Sequence, residues 1–181
     1  ANYAVGYNNI AVDEAKAKGV VVTNTPDVLT EATADLTWAL LLATARRVPD
    51  GDRLVRSAAW SGWEPTQLHG AEVCGKTLGI IGMGRIGRAV ARRAMGFVMP
   101  VLYYKRTTLD PSTLNDQWRP TSWQDVLAGS DFISLHVPLT AETHHLIGET
   151  ELRLMRPTAY LINTSRGPVV NEAALVAAIQ E

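Results

Sequence analysis

The sequence predicts an α/β protein built on a doubly wound parallel sheet of the Rossmann type. Short apolar runs alternate with stretches of helical periodicity along the chain of 181 residues. Between one such run, 78–81, and one such helical stretch, 88–95, Gly82, Gly84 and Gly87 form a G-x-G-x-x-G turn. That placement between a strand and a helix is typical of dinucleotide binding, whereas the same glycines alone also mark ordinary turns.

The composition is that of a globular protein, with 46% hydrophobic and 19% charged residues. The formal net charge of −1 gives no reason to expect nucleic acid or an anionic membrane as a partner. The longest apolar run, 38–43, is too short to cross a bilayer, and no signal peptide is recognisable, so the expected location is cytoplasmic. Cys74 stands alone, which predicts no internal disulfide, and no histidine pair has metal-ligand spacing with an acidic partner.

Residues 1–26 are predicted to contain two short strands, 3–5 and 20–23, on either side of a helix at 12–18. The second strand is expected to be buried on both faces. Two strands around one helix do not make an independent core, so this segment is interpreted as the end of one domain whose beginning is absent. Residues 27–181 are interpreted as a second domain, which binds the dinucleotide and is incomplete at its C-terminal end.

A long helix is expected to begin near Thr30, whose hydroxyl is predicted to cap it. Its predicted apolar stripe consists of Leu36, Ala39, Leu40 and Ala43. Leu41 and Leu42 widen that stripe beyond what one core needs, which favours contact with another subunit. A second helix is expected at 50–59.

The rest of the chain is predicted to alternate strands and helices up to a last helix, 172–180, capped by Asn171. Residues 110–120 are polar and bounded by prolines, and they are therefore predicted to form a loop. Strands are expected at 78–81, 101–104, 132–137 and 159–163, and further helices at 123–128 and 149–155.

Each glycine of the turn has its own physical reason. Gly82 lets the chain turn tightly, Gly84 lets the backbone approach a pyrophosphate, and Gly87 lets the helix pack close to the strand. The free N–H groups at the start of the helix then face the phosphate charge. The sequence therefore predicts a nicotinamide dinucleotide site at this turn.

The end of the second strand of the nucleotide unit predicts which cofactor is preferred. An acidic residue there would bond the 2′-hydroxyl of the adenosine ribose and select NAD, but the sequence has Lys105, Arg106 and Thr107 instead. Two cations and a hydroxyl suit a 2′-phosphate, so NADP is the expected cofactor and NAD remains possible. The alternative is an ordinary solvated basic loop.

Arg166, in the stretch 163–167 after the last predicted strand, is a candidate catalytic and substrate-binding residue. Its guanidinium offers two donors to a carboxylate and can polarise an adjacent carbonyl, although a surface ion pair is the alternative role. Gly6 has a backbone suited either to an anion or to a plain tight turn. His136 lies at another strand end, where a structural role is favoured over a catalytic one. The histidines at 69, 144 and 145 are interpreted as solvated loop residues.

The chain resembles the D-2-hydroxyacid dehydrogenases, and within them the glyoxylate and hydroxypyruvate reductases. The matching stretches run nearly from end to end and occur in the family's order. They are Ala4 to Ile10, Ala32 to Asp35, Gly82 to Gly87, Leu135 to Thr140, and Asn163 to Gly167. The resemblance implies that the first domain is flavodoxin-like and binds the substrate, and that residues 1–26 are a remnant of it.

The resemblance also implies site roles and a reaction. Val5 and Gly6 are implied to hold the substrate carboxylate through backbone N–H groups, together with Arg166. The implied cofactor contacts are Thr33, Arg85, Ile86, His136, Val137, Pro138, Thr164 and Ser165, with His136 as a neighbour and not as the general acid. The implied reaction is hydride transfer to glyoxylate or hydroxypyruvate, giving glycolate or D-glycerate. A homodimer through the helix near 31–47 is implied as well.

The sequence departs from the family pattern in several places. Ala11 stands where the family commonly has an acid, Val98 where it usually has a glycine, and Pro100 cannot donate a backbone hydrogen bond. The family's proton donor, a histidine oriented by a glutamate, is expected beyond Glu181, so these 181 residues alone are expected to be nearly inactive.

Two alternatives to a 2-oxo acid reductase stay open at this point. One is a non-catalytic dinucleotide-sensing protein of the corepressor type, which would keep the nucleotide site and bind partner proteins. The other is a relative of the NAD-dependent formate or phosphite dehydrogenases, against which the basic pair at 105–106 argues mildly.

Overall fold

The computed structural model describes residues 1–107, 109 and 115–180. Its centre is a sheet of five parallel strands: β1 (Leu78–Ile81), β2 (Val101–Tyr104), β3 (Trp118–Pro120), β4 (Phe132–Leu135) and β5 (Tyr160–Asn163). The strand order is β3-β2-β1-β4-β5, so the chain reverses its direction of travel across the sheet at β1. This topology confirms the predicted doubly wound fold, in which ligands bind beyond the carboxyl ends of the strands at such a reversal.

Seven α-helices surround or flank this sheet among the described residues. They are α1 (Val12–Ala17), α2 (Thr30–Ala45), α3 (Val48–Arg56), α4 (Arg85–Ala94), α5 (Trp123–Gly129), α6 (Glu149–Leu154) and α7 (Glu172–Gln180), with short 3₁₀ turns at Met95–Phe97 and Gly167–Val169. Within that part of the chain, no helix is both long and apolar enough to cross a membrane.

The core has two halves, one on each face of the sheet. On one face α2 and α4 bury Ala34, Leu41 and Val90 completely, and the indole of Trp38 stacks on Phe97 with ring centroids 4.8 Å apart. On the other face Val126 and Leu127 of α5 pack over the sheet. Because the central strands β1 and β4 are buried along their whole length, their sequences are continuous apolar runs broken only by Gly79 and Ser134.

The face of α2 that enters the core differs from the predicted stripe. Leu36 and Leu40 are 53% and 42% exposed, and the buried positions are Ala34, Thr37, Trp38, Leu41 and Ala45. A cause is visible in the packing against α4, where the Trp38 indole donates to the carbonyl of Val90 at 3.0 Å. The predicted cap is also wrong, because Thr30 is already the first helical residue and no side chain caps the helix.

The two strands predicted at 3–5 and 20–23 are wrong, because neither segment is a strand in the structure. They are joined by two backbone hydrogen bonds, from Asn2 N to Thr23 O at 2.7 Å and from Thr25 N to Ala4 O at 3.0 Å. Val21, which was expected to be buried on both faces, is 82% exposed. Among the described residues no neighbouring strand extends this pair into a sheet, so the pairing does not propagate.

The predicted loop at 110–120 is partly wrong, because its last three residues form β3 at the edge of the sheet. The strand is short and contains Pro120, which an edge strand tolerates because one side of its backbone needs no partner. Trp118 anchors it in the core with 7% of its surface exposed. Residues 110–114 of the predicted loop lie outside the described residues.

Candidate functional site

The glycine turn between β1 and α4 is locked by close backbone contacts. Gly82 has φ +99°, and a Cβ there would lie 2.5 Å from the carbonyl oxygen of His136. A Cβ on Gly87 would collide with the carbonyl oxygen of Gly82. Both positions therefore require glycine, the first for conformation and contact and the second for the close approach of helix and strand.

The first turn of α4 faces open space. Nothing lies within 4 Å of the position that a Cβ on Gly84 would take. Among the described residues, the N–H groups of Arg85 and Ile86 have no backbone or side-chain acceptor. Unpaired N–H groups at the start of a ten-residue helix attract an anion, and the absent side chain at Gly84 leaves room for one. The residues present therefore fit a dinucleotide pyrophosphate.

A cavity of about 490 Å³ opens beside this turn, at the carboxyl ends of β1, β2 and β4. It brings together eight of the predicted cofactor residues from three separate stretches of chain: Gly82, Gly84, Lys105, Arg106, Thr107, His136, Val137 and Pro138. It is also lined by residues that sequence reasoning missed, namely Ile81, Met83, Tyr104, Trp123, Glu142, Thr143 and Leu146. A second cavity, about 400 Å³, lies against Arg46, Trp63 and Glu64 and contains none of the predicted site residues.

The charges in the cavity wall have opposite signs. Lys105 and Arg106 follow β2, and Glu142 comes from the loop after β4. The Thr140 hydroxyl donates to Glu142 Oε2 at 2.6 Å and lowers the pKa of that carboxyl, with smaller contributions from a backbone hydrogen bond and from the charge of Arg106. Glu142 is therefore ionised at neutral pH. Sequence reasoning missed Glu142, and the sequence offers one signal for it: the residue lies four positions after Pro138, in the loop that follows a strand end.

His136 lies in the same wall as a neutral ring. Its Nε2 is 2.9 Å from the hydroxyl of Ser134, which is itself fully buried. Burial lowers the pKa of His136 to about 4, because the charged imidazolium loses its hydration there. The ring is therefore uncharged at neutral pH, and its role in the cavity wall stays a prediction.

A separate contact joins the first segment of the chain to the loop after β5. Arg166 lies directly against Gly6, and a Cβ on that glycine would overlap its guanidinium. Arg166 Nε donates to Asn8 Oδ1 at 3.2 Å, and Nη1 donates to the carbonyl of Ser165 at 2.8 Å. No acidic side chain pairs with Arg166 within the described part of the protein. Val5 precedes Gly6 in the same turn, so the structure brings the three predicted substrate residues together.

The loop that carries Arg166 is fixed by one asparagine. Asn163, at the end of β5, donates through Nδ2 to the carbonyl of Arg166 at 2.8 Å. Its Oδ1 accepts from the backbone N–H of Ser165 at 3.0 Å and from the Ser165 hydroxyl at 2.7 Å. Three bonds from one side chain set the direction in which the arginine leaves the sheet.

The remaining predicted cofactor residues lie outside the cavity wall. Thr33 and Thr164 are linked through the buried Thr37, whose hydroxyl donates to the Thr33 carbonyl at 2.8 Å and lies 2.9 Å from the Thr164 hydroxyl. The side chain of Arg85 turns away to pair with Asp27 at 2.7 Å. Ile86 is partly buried and packs against the core.

No metal centre is visible in this part of the molecule. Over residues 1–107, 109 and 115–180, no group of three histidine, cysteine, aspartate or glutamate side chains is placed to hold a metal ion.

Comparisons with known proteins show which family the chain is similar to. Residues 38–181 match the family profile described as "D-isomer specific 2-hydroxyacid dehydrogenase, NAD binding domain". The chain is 56% identical to glyoxylate reductase from Pyrococcus horikoshii and 54% identical to glyoxylate reductase from Thermococcus gammatolerans, in both cases over the whole chain and 55% of the relative. The chain thus spans about half the length of the curated relatives it matches.

Solved structures give the same result for the fold. The TT0316 protein from Thermus thermophilus superposes with a TM-score of 0.92 at 47% identity, over 98% of this chain and 56% of that one. D-lactate dehydrogenase from Aquifex aeolicus, solved with NAD and lactic acid, superposes with a TM-score of 0.86 at 38% identity, over 98% and 52%.

Proposed function

Because this chain belongs to the D-isomer specific 2-hydroxyacid dehydrogenase family, we propose that it serves an oxidoreductase of small 2-oxo and 2-hydroxy acids. The substrates are glyoxylate or hydroxypyruvate, and the products are glycolate or D-glycerate. One observation supports this most: the cavity beside the glycine turn and the contact between Gly6 and Arg166 lie at the same edge of the parallel sheet. A cofactor and a small anion can therefore meet there.

The cofactor part of the proposal rests on the first turn of α4 and on the basic residues that follow β2. The N–H groups of Arg85 and Ile86 bind the pyrophosphate, which approaches closely because Gly84 has no side chain. Lys105, Arg106 and Thr107 bind a 2′-phosphate, so NADP is preferred over NAD. When bound, the nicotinamide supplies or accepts the hydride.

The remaining cofactor contacts take less specific roles. Val137, Pro138 and the neutral His136 form the wall on the adenine side of the cavity. Thr33, Thr164 and Ser165 lie towards the nicotinamide half, where the hydroxyl link through Thr37 holds the two threonines near each other.

The substrate half of the proposal rests on the pair formed by Gly6 and Arg166. Backbone N–H groups of Val5 and Gly6, with the guanidinium, bind the carboxylate of the 2-oxo acid. Arg166 also polarises the adjacent carbonyl, since its charge is not neutralised by an acid in the described part of the chain. Orientation by this arginine places the carbonyl carbon for hydride transfer.

We assign residues 1–26 to the flavodoxin-like substrate domain and residues 27–181 to the nucleotide domain.

The exposed face of α2, with Leu36 and Leu40, is the part of 31–47 that a second copy covers in a homodimer. An apolar helix face of this kind costs free energy in water, and burial against its own copy removes that cost. We place the protein in the cytoplasm.

The cofactor preference is tested by titrating the protein with NADPH and with NADH while tryptophan fluorescence is followed, because Trp123 lines the cavity. Replacing Lys105 and Arg106 together by alanine is expected to weaken NADPH binding at least tenfold and NADH binding less than twofold, as charge-assisted hydrogen bonds to the 2′-phosphate are lost. Arg119→Ala, on the edge strand outside the cavity, is the matched control. Equal losses for both cofactors would contradict the NADP preference.

The reaction is tested by following NADPH absorbance on addition of glyoxylate, in a protein of the relatives' full length that carries this chain. Arg166→Lys is expected to lower the glyoxylate-dependent rate about 100-fold or more, because a lysine cannot present two parallel donors to a carboxylate. NADPH affinity is expected to stay within twofold in the same variant. A wild-type protein that binds NADPH but oxidises none with either 2-oxo acid would contradict the proposed reaction.

A further inference from the structure

In the loop at residues 4–7, beside Arg166, the carbonyl groups are hydrogen-bonded to the protein and the N–H groups, within the described part of the chain, are not. Three consecutive carbonyls, those of Ala4, Val5 and Gly6, each accept a hydrogen bond. The three N–H groups of the same peptide units, on Val5, Gly6 and Tyr7, have no acceptor among the described residues. A loop whose three carbonyls are each bonded to the protein while its N–H groups are free presents those N–H groups to a ligand as donors.

Two asparagine side chains produce this division. Asn24 Nδ2 donates to the carbonyl of Val5 at 2.9 Å, and Asn2 Nδ2 donates to the carbonyl of Gly6 at 2.8 Å. Asn24 is brought into reach because Thr23 and Thr25, its neighbours, form the two backbone hydrogen bonds that join its segment to residues 2 and 4. These contacts link segments that are about 20 positions apart in sequence.

A peptide unit is planar and trans, so its carbonyl and its N–H point in opposite directions. The structure contains no cis peptide bonds within the described residues. Holding the Val5 carbonyl therefore fixes the direction of the Gly6 N–H, and holding the Gly6 carbonyl fixes that of the Tyr7 N–H. Without the two amide donors, each peptide unit is free to rotate, and the N–H groups lose a fixed direction.

We propose that Asn2 and Asn24 are positioning residues for the donors that meet a substrate carboxylate held by Arg166. Asn24 aims the backbone N–H of Gly6, and Asn2 aims that of Tyr7, which adds a third backbone donor to those of Val5 and Gly6. The inference deepens the proposed function and rests on it. Neither asparagine touches the substrate. Each acts through the carbonyl it binds, and together they prepare the donors before the anion arrives, which raises affinity by reducing the ordering that binding requires.

The inference is tested on the chain by two-dimensional ¹H–¹⁵N spectra during titration with sodium glyoxylate. In the wild type, the amide signals of Gly6 and Tyr7 are expected to move more than those of the sheet. Asn24→Asp and Asn2→Asp replace an amide donor by a carboxylate of the same shape, and each is expected to weaken glyoxylate binding about fivefold or more, the effect of one lost hydrogen bond.

Asn9→Asp is the matched control, because it adds the same charge to the first segment of the chain at an asparagine that makes no side-chain hydrogen bond among the described residues. It is expected to change glyoxylate affinity less than twofold. Asn24→Ala removes the donor without adding charge, and it is expected to weaken binding as Asn24→Asp does. Unchanged signals from β1 and β4 in each variant show that the fold is retained.

A second measurement needs no substitution and holds even if a variant fails to fold. The side-chain amide protons of Asn2 and Asn24 are expected to exchange with water more slowly than those of Asn9. Equal exchange for all three asparagines, or equal affinity in Asn24→Ala and the wild type, would overturn the inference while leaving carboxylate binding intact. If the amide signals of Gly6 and Tyr7 in the wild type do not move on addition of glyoxylate, the proposed carboxylate site is wrong, and the inference is wrong with it.

Discussion

The two halves of the candidate site are built in different ways. The cavity beside the glycine turn is made by neighbouring strand ends, and backbone contacts buried in the fold give it its shape. The contact between Gly6 and Arg166 joins residues 160 positions apart and is maintained by single hydrogen bonds near the surface, such as that from Arg166 to Asn8. Close packing of the backbone determines the shape of the cavity, whereas the geometry of the contact between Gly6 and Arg166 depends on polar side chains.

This difference determines how each half responds to change. A methyl group added at Gly82 or Gly87 meets a backbone carbonyl, which cannot move without disturbing β1, β4 or α4. A lost hydrogen bond around Gly6 leaves the sheet intact and changes only the direction of a loop. Substitutions in the glycine turn are therefore expected to change the free energy of unfolding. Substitutions around Gly6 and Arg166 are expected to change the affinity for a small anion.

The largest expected effect is in the glycine turn. Gly87→Ala puts a Cβ onto the carbonyl oxygen of Gly82, and we expect it to lower the free energy of unfolding by about 3 kcal/mol and to abolish NADPH binding. Urea denaturation and fluorescence titration measure the two effects. Gly96→Ala, where nothing lies within 4 Å, is the control and is expected to change neither quantity. A fully stable Gly87→Ala protein would show that the turn is not locked as described.

His136 gives the next effect, through pH. Its pKa is about 4 in the folded protein and about 6.5 when unfolded, so the unfolded chain binds one more proton between these values. The contribution of His136 to stability is complete above pH 6.5 and is lost as the pH falls towards 4, by about 3 kcal/mol in total. Urea denaturation at pH 7 and pH 4.5 is expected to show a smaller loss in His136→Gln than in the wild type. Equal losses would mean that the ring is solvated.

A third effect separates stability from binding within the same domain. Val98 has φ +54°, a left-handed conformation that is strained for a β-branched residue, and its side chain is 69% exposed. We expect Val98→Gly to raise the free energy of unfolding by about 1 kcal/mol, with NADPH affinity unchanged because the residue lies outside the cavity. Thermal melts and titrations check this. A lower melting temperature would mean that packing of the valine outweighs the strain.

The smallest expected effect is in the first segment of the chain. Ala11 is the N-cap of α1 and provides no side-chain hydrogen bond. Ala11→Asp is expected to stabilise the helix by about 0.5 kcal/mol, because a carboxylate accepts from the free N–H groups of the first turn. Slower amide exchange in α1 is the readout. Ala11→Asn, a cap without charge, is expected to give a similar gain, and no gain in either variant would contradict the assigned cap.

The same contrast explains what the sequence could predict. Strand β1 has its predicted bounds and α4 follows the turn as expected, because glycine spacing and an apolar run are local signals. The exposure of Leu36 and Leu40 was not predictable, since helical periodicity identifies faces but not which face meets α4. Strand β3 was missed because its polar, proline-containing sequence is acceptable only at a sheet edge. Asn24 carries no local signal, as its partner Val5 is 19 residues away.

The most direct test of the account measures two ligands on two variants. Gly84→Ala adds a methyl group where the pyrophosphate is proposed to approach but where the protein leaves open space. We predict that it weakens NADPH binding at least tenfold, leaves glyoxylate binding within twofold, and does not change stability. Arg166→Lys is predicted to weaken glyoxylate binding at least tenfold and to leave NADPH binding within twofold. Loss of both ligands in either variant, or of neither in both, would contradict the claim that one edge of the sheet holds two separately built sites.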